Sequence, residues 1–344
     1  MISLSVNDKA ASGRRSGPRP VNLRTDLGAL ADLIELAFAD TMDSSGRAAI
    51  REMRALGSMG IARSLVMGLN EMAEGIGLGY VWVEDGQIVG NASIYPAHLP
   101  RGAPRTWIIA NVAVHPEFRG RRIARALMES CLGAIRARSQ TPHPTAILQV
   151  VDPNPVALHL YERLGFIADG RFTHWRRSAA ARAMPYGDES PPVTITRRRA
   201  GEWRAEYALA LRARPDAAGG VGWLRPTLPS LFRQSLLSRI SDLFSLRSLE
   251  RLIIRGEGQD SGQIRASLWI ESGFTSSSTQ LTLLCDPDTS ALYGEALLRL
   301  ATARYRLRAN LTLEHPADDD VINALLKQYG FTPQRTLMHM HWHP

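Results

Sequence analysis

The chain has 344 residues, 44% hydrophobic and 22% charged, with a formal net charge of +8. This length favours two domains and this composition an ordinary soluble globular protein; no apolar run reaches the roughly 18 residues of a membrane span. Arg far outnumbers Lys, which suits anionic partners, yet the arginines are scattered and aromatics make up only 7%, which argues against nucleic-acid binding.

Residues 1–17 are rich in Ser, Gly, Pro and Arg, lack the apolar core of a signal peptide, and read as a flexible arm. Val21 to Arg24 is a short strand candidate. From Asp26 to Ala39, Leu27, Leu30, Leu33, Ile34 and Phe38 share one helical face. A second helical zone runs from Ser45 to Leu69, interrupted near Gly57 and Gly60. Gly79–Val83 and Ile88–Tyr95 alternate as strands around Asp85-Gly86, a hairpin signal. Thr106–Val114 is nearly all apolar and reads as a central strand. Arg121–Arg138 is the clearest helix, with Ile123, Leu127, Cys131 and Ile135 as its apolar stripe. Strand Thr145–Val151, helix Pro155–Leu164 with Gly165 as its stop, and strand Phe166–Arg176 follow.

Residues 178–192 form a linker candidate, separating a domain at 18–177 from one at 193–344. The second half parallels the first: ANLTLEHPADDDVINALLKQYGF matches AILQVVDPNPVALHLYERLGF in order, down to Gly330-Phe331 and Gly165-Phe166. The two cysteines, Cys131 and Cys285, lie in different halves and offer neither a disulfide framework nor a cysteine metal site. Reduced thiols in a cytoplasm are the expectation.

The chemistry concentrates between Ile109 and Phe166. A turn opening a helix leaves backbone N–H groups without internal partners, and with the helix dipole these favour a phosphate. Gly120 and Ala124 are small enough for close approach, and Arg119, Arg121, Arg122 and Arg125 bring charge on either side of Ile123. A helix start with solvated arginines reads the same residues without a ligand. Val112, Ala113 and Val114 precede His115-Pro116, where proline must end or splay the strand; a plain buried strand explains them equally well. Asn154 before Pro155 is a favoured helix cap, or a ligand contact beside one. Tyr161 is a core aromatic or a phenolic acid able to protonate a departing thiolate.

Taken together, strand, Pro, basic turn, helix, strand, Asn, Tyr and Gly-Phe resemble the GCN5-related N-acetyltransferase (GNAT) superfamily over about Val21–Arg176. The family's diphosphate pattern, Arg/Gln-x-x-Gly-x-Gly/Ala, is met at Arg119 and Ala124, whereas Arg122 stands where Gly is usual. The resemblance implies an α/β (α+β) fold of two GNAT-like domains, each a mixed, largely antiparallel twisted sheet flanked by helices. It implies acetyl-CoA as acyl donor, held by residues 119–125, Val112–Val114 and Asn154, with Tyr161 as general acid. No Cys or Ser sits in an activating motif, so direct attack by a primary amine is expected. A non-catalytic acyl-CoA sensor is the alternative.

Gln149 stands where a Glu on the second strand acts as base in certain relatives, and cannot usefully accept a proton; Asn111, on the first strand, is likewise no base. A water chain, Glu84, His115 or His174 are the remaining candidates. The second copy lacks the chemistry: Asp288–Gly294 has no basic pattern, Asp319 replaces Asn154, Leu326 replaces Tyr161, and Glu314 aligns with Gln149. Such a degenerate copy would complete the sheet or narrow the cleft, which favours a small-molecule amine over a protein acceptor. His339, His341 and His343 alternate on a final strand and share a face; surface histidines are expected there, and no metal. Arg197–Arg199 reads as a solvated strand edge.

Overall fold

The structure is a computed structural model that describes residues 16–39, 42, 44–58, 78–139, 141–181, 193–233, 247–258, 262–273, 278–305 and 307–344. Most of the predicted arm and linker, and the second helical zone beyond 58, lie outside the described residues. The chain divides into two compact units, residues 1–96 with 107–146, and residues 97–106 with 147–344.

The first unit carries strands β1 (Gly17–Pro20), β2 (Gly79–Glu84), β3 (Gln87–Pro96) and β4 (Thr106–Val114), each antiparallel to its neighbour in that order. Asp85 (φ 49°) and Gly86 (φ 84°) both take positive φ between β2 and β3, as a two-residue primed turn requires. The strand expected at Val21–Arg24 forms earlier instead, at β1. Pro18 and Pro20 are tolerated there because β1 is an edge strand. Beyond it the chain turns, and the buried Asp26 carboxylate accepts from the Asn22 N–H (2.7 Å) and from Arg19 (2.6 Å).

Helices α1 (Leu27–Ala37) and α2 (Ser44–Ser58) bury Leu27, Leu30, Ile34, Ile50 and Met53 against Val81 of β2. Helix α3 (Ile123–Arg138) buries the predicted stripe Ile123, Leu127, Cys131 and Ile135. Its N-terminus lies hard on β3: a Cβ at Gly90 would stand 2.8 Å from Ile123 Cγ2 and 3.0 Å from Leu127 Cδ1. Gly90 therefore fixes how closely the helix start approaches the sheet.

In the second unit, β5 (Thr145–Asp152), α4 (Pro155–Arg163) and β6 (Ile167–Arg177) come from the first sequence copy. The second copy supplies β7 (Ile195–Arg197), α5 (Trp203–Ala213), α6 (Pro229–Phe232), β8 (Arg247–Arg255), β9 (Ile264–Gly273), β10 (Ser278–Cys285), α7 (Ser290–Arg304), β11 (Asn310–Pro316), α8 (Asp320–Gln328) and β12 (Thr332–Trp342). Strand order here is β5-β12-β6-β11-β10-β9-β8-β7. Strands β10 and β11 run parallel, while β6 is antiparallel to both β11 and β12. The fold is thus α+β with mixed, largely antiparallel pairing.

The two copies interleave. β6 lies between β11 and β12, and β12 lies between β5 and β6. Trp175 of β6 accordingly packs in one core with Leu281, Leu311, Leu313, Leu326 and Phe331 of the second copy. A second core, around Leu209, Phe232, Ile253 and Trp269, encloses Glu206, which is 0% exposed. Its carboxylate accepts from Ser267 Oγ (2.6 Å), Trp269 Nε1 (2.7 Å) and Arg251 (2.9 Å), and pairs with Arg198 Nε at 2.9 Å. Arg197–Arg199 is therefore not a uniformly solvated edge: a buried carboxylate demands partners, and Arg198 turns inward to meet it.

Candidate functional site

The register between β3 and β4 slips. Asn91 faces Ala113 but Ser93 faces Ala110, so two residues, Asn111 and Val112, oppose one. This is a β-bulge, and Asn111 takes φ 53° to make it. Asn91 holds it from beneath. At 1% exposure its Nδ2 donates to the Asn111 carbonyl (2.9 Å) and to Ser93 Oγ (3.3 Å). Val112, Ala113 and Val114 follow, with Ala113 buried and its neighbours half-buried. The His115 N–H donates to the Val89 carbonyl (2.8 Å), and Pro116 then opens a short 3-10 turn, Pro116–Phe118.

From there to α3 the backbone bends twice through the left-handed region, at Gly120 (φ 78°) and Arg122 (φ 61°). Nothing stands within 4 Å of where a Gly120 Cβ would be. Arg122 occupies a conformation that costs a non-glycine residue about 1–2 kcal/mol, at the position where the resemblance expected Gly. The first helical bond runs from the Ala126 N–H to the Arg122 carbonyl, and no side chain caps α3. Among the described residues, the peptide N–H groups of Gly120, Arg121, Arg122, Ile123, Ala124 and Arg125 donate to nothing. The first three point from a turn and the last three from the first turn of α3, at the positive end of its dipole.

Four arginines flank these donors. Arg119 donates through Nε to the Val114 carbonyl at 3.3 Å, Arg121 lies 4.8 Å over the Phe118 ring, and Arg125 pairs with Glu129 at 2.8 Å. Arg122 is exposed. This arrangement can hold adjacent phosphates on main-chain donors with arginine counter-charge around them.

Asn154 and Tyr161 belong to the second compact unit, on α4. Asn154 is exposed and caps α4, its Oδ1 accepting from the Ala157 N–H at 3.1 Å; the cap uses the oxygen and leaves the amide nitrogen for another acceptor. Tyr161 is 6% exposed and lies beside Phe166, ring centroids 5.9 Å apart. Burial pushes its phenol up to about 12. Its hydroxyl makes no hydrogen bond among the described residues.

The base candidates fare unevenly. Glu84 is held below the usual carboxylate range by Ser16 Oγ and then by Trp82 Nε1 (3.1 Å), so it is a poor proton acceptor. His115 receives the Glu117 N–H at 3.4 Å and meets Phe118 edge-on. His174 sits on β6 opposite Glu314.

The corresponding turn of the second copy is closed. Pro287–Thr289 is a 3-10 turn leading straight into α7, and Asp286 is paired with Arg212 (2.9 Å) and Arg265 (3.4 Å). Where β10 and β11 part, beyond Leu281 and Leu313, Arg214 fills the gap at 6% exposure. Its Nη2 donates to His315 Nδ1 (2.7 Å), and His315 Nε2 donates to Asp319 Oδ2 (2.9 Å). Asp319 caps α8 as Asn154 caps α4, and Leu326 is 0% exposed in the place of Tyr161.

The terminal histidines are not all at the surface. His339 is 3% exposed because Phe172 stacks on its ring, while His341 Nδ1 meets Asp169 Oδ1 at 2.5 Å. No group of three or more His, Cys, Asp or Glu among the described residues is arranged to hold a metal ion. Likewise, no helix among them is long and apolar enough to cross a membrane.

No local residue pattern foretells the roles of Gly90 and Asn91 or the bulge at Asn111. Each acts through close packing or register against a strand that only the fold brings alongside.

Residues 58–166 match the family model described as Acetyltransferase (GNAT) family. Among solved structures, the fold is similar to the GCN5-related N-acetyltransferase from Sphaerobacter thermophilus over 95% of each chain, at 17% identity and a TM-score of 0.56. It is also similar to a GCN5-related glucosamine N-acetyltransferase region of a fungal multi-domain GH3 β-N-acetylglucosaminidase, covering 97% of this chain and 39% of that one, at 13% identity and a TM-score of 0.56. A tandem GNAT protein from the clavulanic acid biosynthesis pathway aligns over 96% of this chain and 98% of its own, at 16% identity and a TM-score of 0.49. No curated protein matches the chain in sequence.

Proposed function

Since the chain belongs to the GNAT superfamily through residues 58–166, we propose that it moves an acetyl group from acetyl-CoA to a primary amine, by direct attack within a ternary complex. The observation that carries this reading is the run of six main-chain donors, Gly120 to Arg125, without partners among the described residues at the start of a helix and flanked by Arg119, Arg121, Arg122 and Arg125. The diphosphate of coenzyme A supplies the acceptors such a run lacks. Val112–Val114 would lie along the pantetheine arm, and the Asn154 amide nitrogen would reach its polar groups.

The acyl group arrives already activated as a thioester. What the chain adds is position, main-chain polarisation of the carbonyl, and a proton for the leaving sulfur. Tyr161 is the donor. With its phenol pushed up to about 12 it remains protonated at neutral pH and so carries a proton to offer the leaving sulfur. A covalent enzyme intermediate has little support, since Cys131 is buried and its thiol pushed up to about 12, and burial pushes Cys285 up as well.

The second copy holds no coenzyme A in this reading, because its turn is closed and Arg214 fills the gap beyond it. A small-molecule amine remains the favoured acceptor.

Calorimetric titration with acetyl-CoA, followed by thiol release against a panel of primary amines, tests the proposal. Binding with release supports transfer. Binding without release from any amine would establish the sensor instead, and no heat on titration would remove both.

A further inference from the structure

Within the second compact unit, helix α4 and strand β6 meet at Gly165-Phe166, and this corner carries Tyr161. The Tyr161 carbonyl accepts from the Leu164 N–H and from the Phe166 N–H, each at 3.0 Å, and Gly165 turns the chain through φ 89°. The hydroxyl has no such anchor, since it makes no hydrogen bond among the described residues. Packing around the ring therefore decides where the phenol stands. Phe166, 3% exposed, lies against it with centroids 5.9 Å apart and planes at 58°.

What covers Phe166 comes from the second copy. His341 of β12 pairs with Ile167 of β6, which brings Trp342 alongside Phe166. The indole is 3% exposed, and its centroid lies 6.5 Å from that of the Phe166 ring. A Cβ at Gly165 would stand 3.5 Å from both Cδ1 and Nε1 of the indole, so Trp342 also lies over the residue that stops α4.

The corner between α8 and β12 is built in the same way with a different side chain. Gly330-Phe331 stands there for Gly165-Phe166, and Leu326 for Tyr161. Trp342 lies eleven residues beyond Phe331, and the residue eleven beyond Phe166 is Arg177. Thr332 pairs with Arg176, so Arg177 comes alongside Phe331 as Trp342 comes alongside Phe166. Arg177 Nε lies 3.6 Å from where a Gly330 Cβ would be, and donates to the Tyr329 carbonyl at 2.8 Å. The end of each copy's last strand thus covers the helix stop of the other copy. A guanidinium serves over Leu326, but beside a phenol it would favour the anion. Over the Tyr161 corner stands an uncharged indole instead.

We propose that Trp342 is a positioning residue for acyl transfer: through Phe166 and Gly165 it holds the Tyr161 hydroxyl where its proton is delivered to the leaving sulfur. This rests on the acyl-transfer reading, with Tyr161 as its acid. It gives the second copy a part in the chemistry that requires no contact with substrate.

The test is a double-mutant cycle between positions 342 and 161, read as thiol release by the full chain from saturating acetyl-CoA and a primary amine that the panel shows to be turned over. Trp342→Ala should lower kcat about tenfold and leave acetyl-CoA affinity within about twofold, whereas Trp342→Phe should keep kcat within about threefold of the wild type. In a Tyr161→Phe chain, which has no phenolic proton to deliver, adding Trp342→Ala should change kcat by less than about twofold. Burial alone raises the phenol, so opening the corner should also bring the alkaline limb of the rate profile down toward pH 10. Trp342→Leu carries the same measurements if the alanine chain does not fold. A kcat that these substitutions leave unchanged, or a tenfold loss that persists in the Tyr161→Phe chain, overturns the proposal while leaving acyl transfer intact. Thiol release absent from the wild type with every amine would instead bring down the transfer reading, and this assignment with it.

Discussion

Two turns occupy the same place in the sequence repeat, residues 115–126 and 286–294, and they differ in which hydrogen bonds the chain closes for itself. In the first, a left-handed glycine and a left-handed arginine lie within a run of six N–H groups that find no acceptor among the described residues. In the second, the 3-10 turn runs directly into its helix, Asp286 is bound to two arginines, and Arg214 fills the gap between the parting strands. The scaffold of strand, turn and helix is shared. Whether its main-chain donors stay open or are closed off depends on a few side chains that supply or withhold partners.

The sharpest way to break this contrast is at the paired positions 161 and 326. Tyr161→Phe should slow thiol release by about 100-fold or more while leaving acetyl-CoA affinity within about twofold by calorimetry. An unchanged rate would reduce Tyr161 to what Leu326 is, a packing residue. Leu326→Ala should behave in the opposite way, costing about 2–5 kcal/mol in denaturant unfolding with no change in acetyl-CoA affinity.

The filled gap has its own pH signature. Burial, aided by the charge of Arg214 and opposed by Asp319, lowers His315 to about 4 from 6.5. Between those values the unfolded chain binds more protons than the folded one, so stability falls as pH drops through that window. The melting temperature of the wild type should fall more steeply from pH 6.5 to 4 than that of His315→Gln, and parallel curves would contradict the assignment. The smallest effect belongs to the caps. Asn154→Ala and Asp319→Ala should each cost about 1 kcal/mol of stability, and only Asn154→Ala should weaken acetyl-CoA binding.

Much of this was legible in the sequence because it is local. The period of Ile123, Leu127, Cys131 and Ile135, the Asp85-Gly86 turn and the helix-opening basic segment each carry their signal within a few residues. What escaped notice depends on strands meeting across long separations. Asn91 looks like any polar residue in an alternating strand until β4 slips by one opposite it. Arg198 reads as exposed until Glu206 is buried within its reach. His339 reads as a surface residue until β6 lies beside β12 and brings Phe172 onto its ring. Alternation reports which face of a strand is apolar, but not which strand is its neighbour, so the exchange of β6 and β12 leaves no mark on the pattern.

That exchange has a consequence for how the protein can be made and cut. Thr332 Oγ1 bonds to the Arg176 carbonyl across 156 residues of chain, and β12 is the last described strand to leave the ribosome. Until it does, β5 and β6 lack the partner that belongs between them and present bare main-chain edges, the kind of surface on which nascent chains stick to one another. A polypeptide severed at 178–192 would release two fragments, each missing a strand that the other carries. Recombining such fragments should restore activity that neither possesses alone.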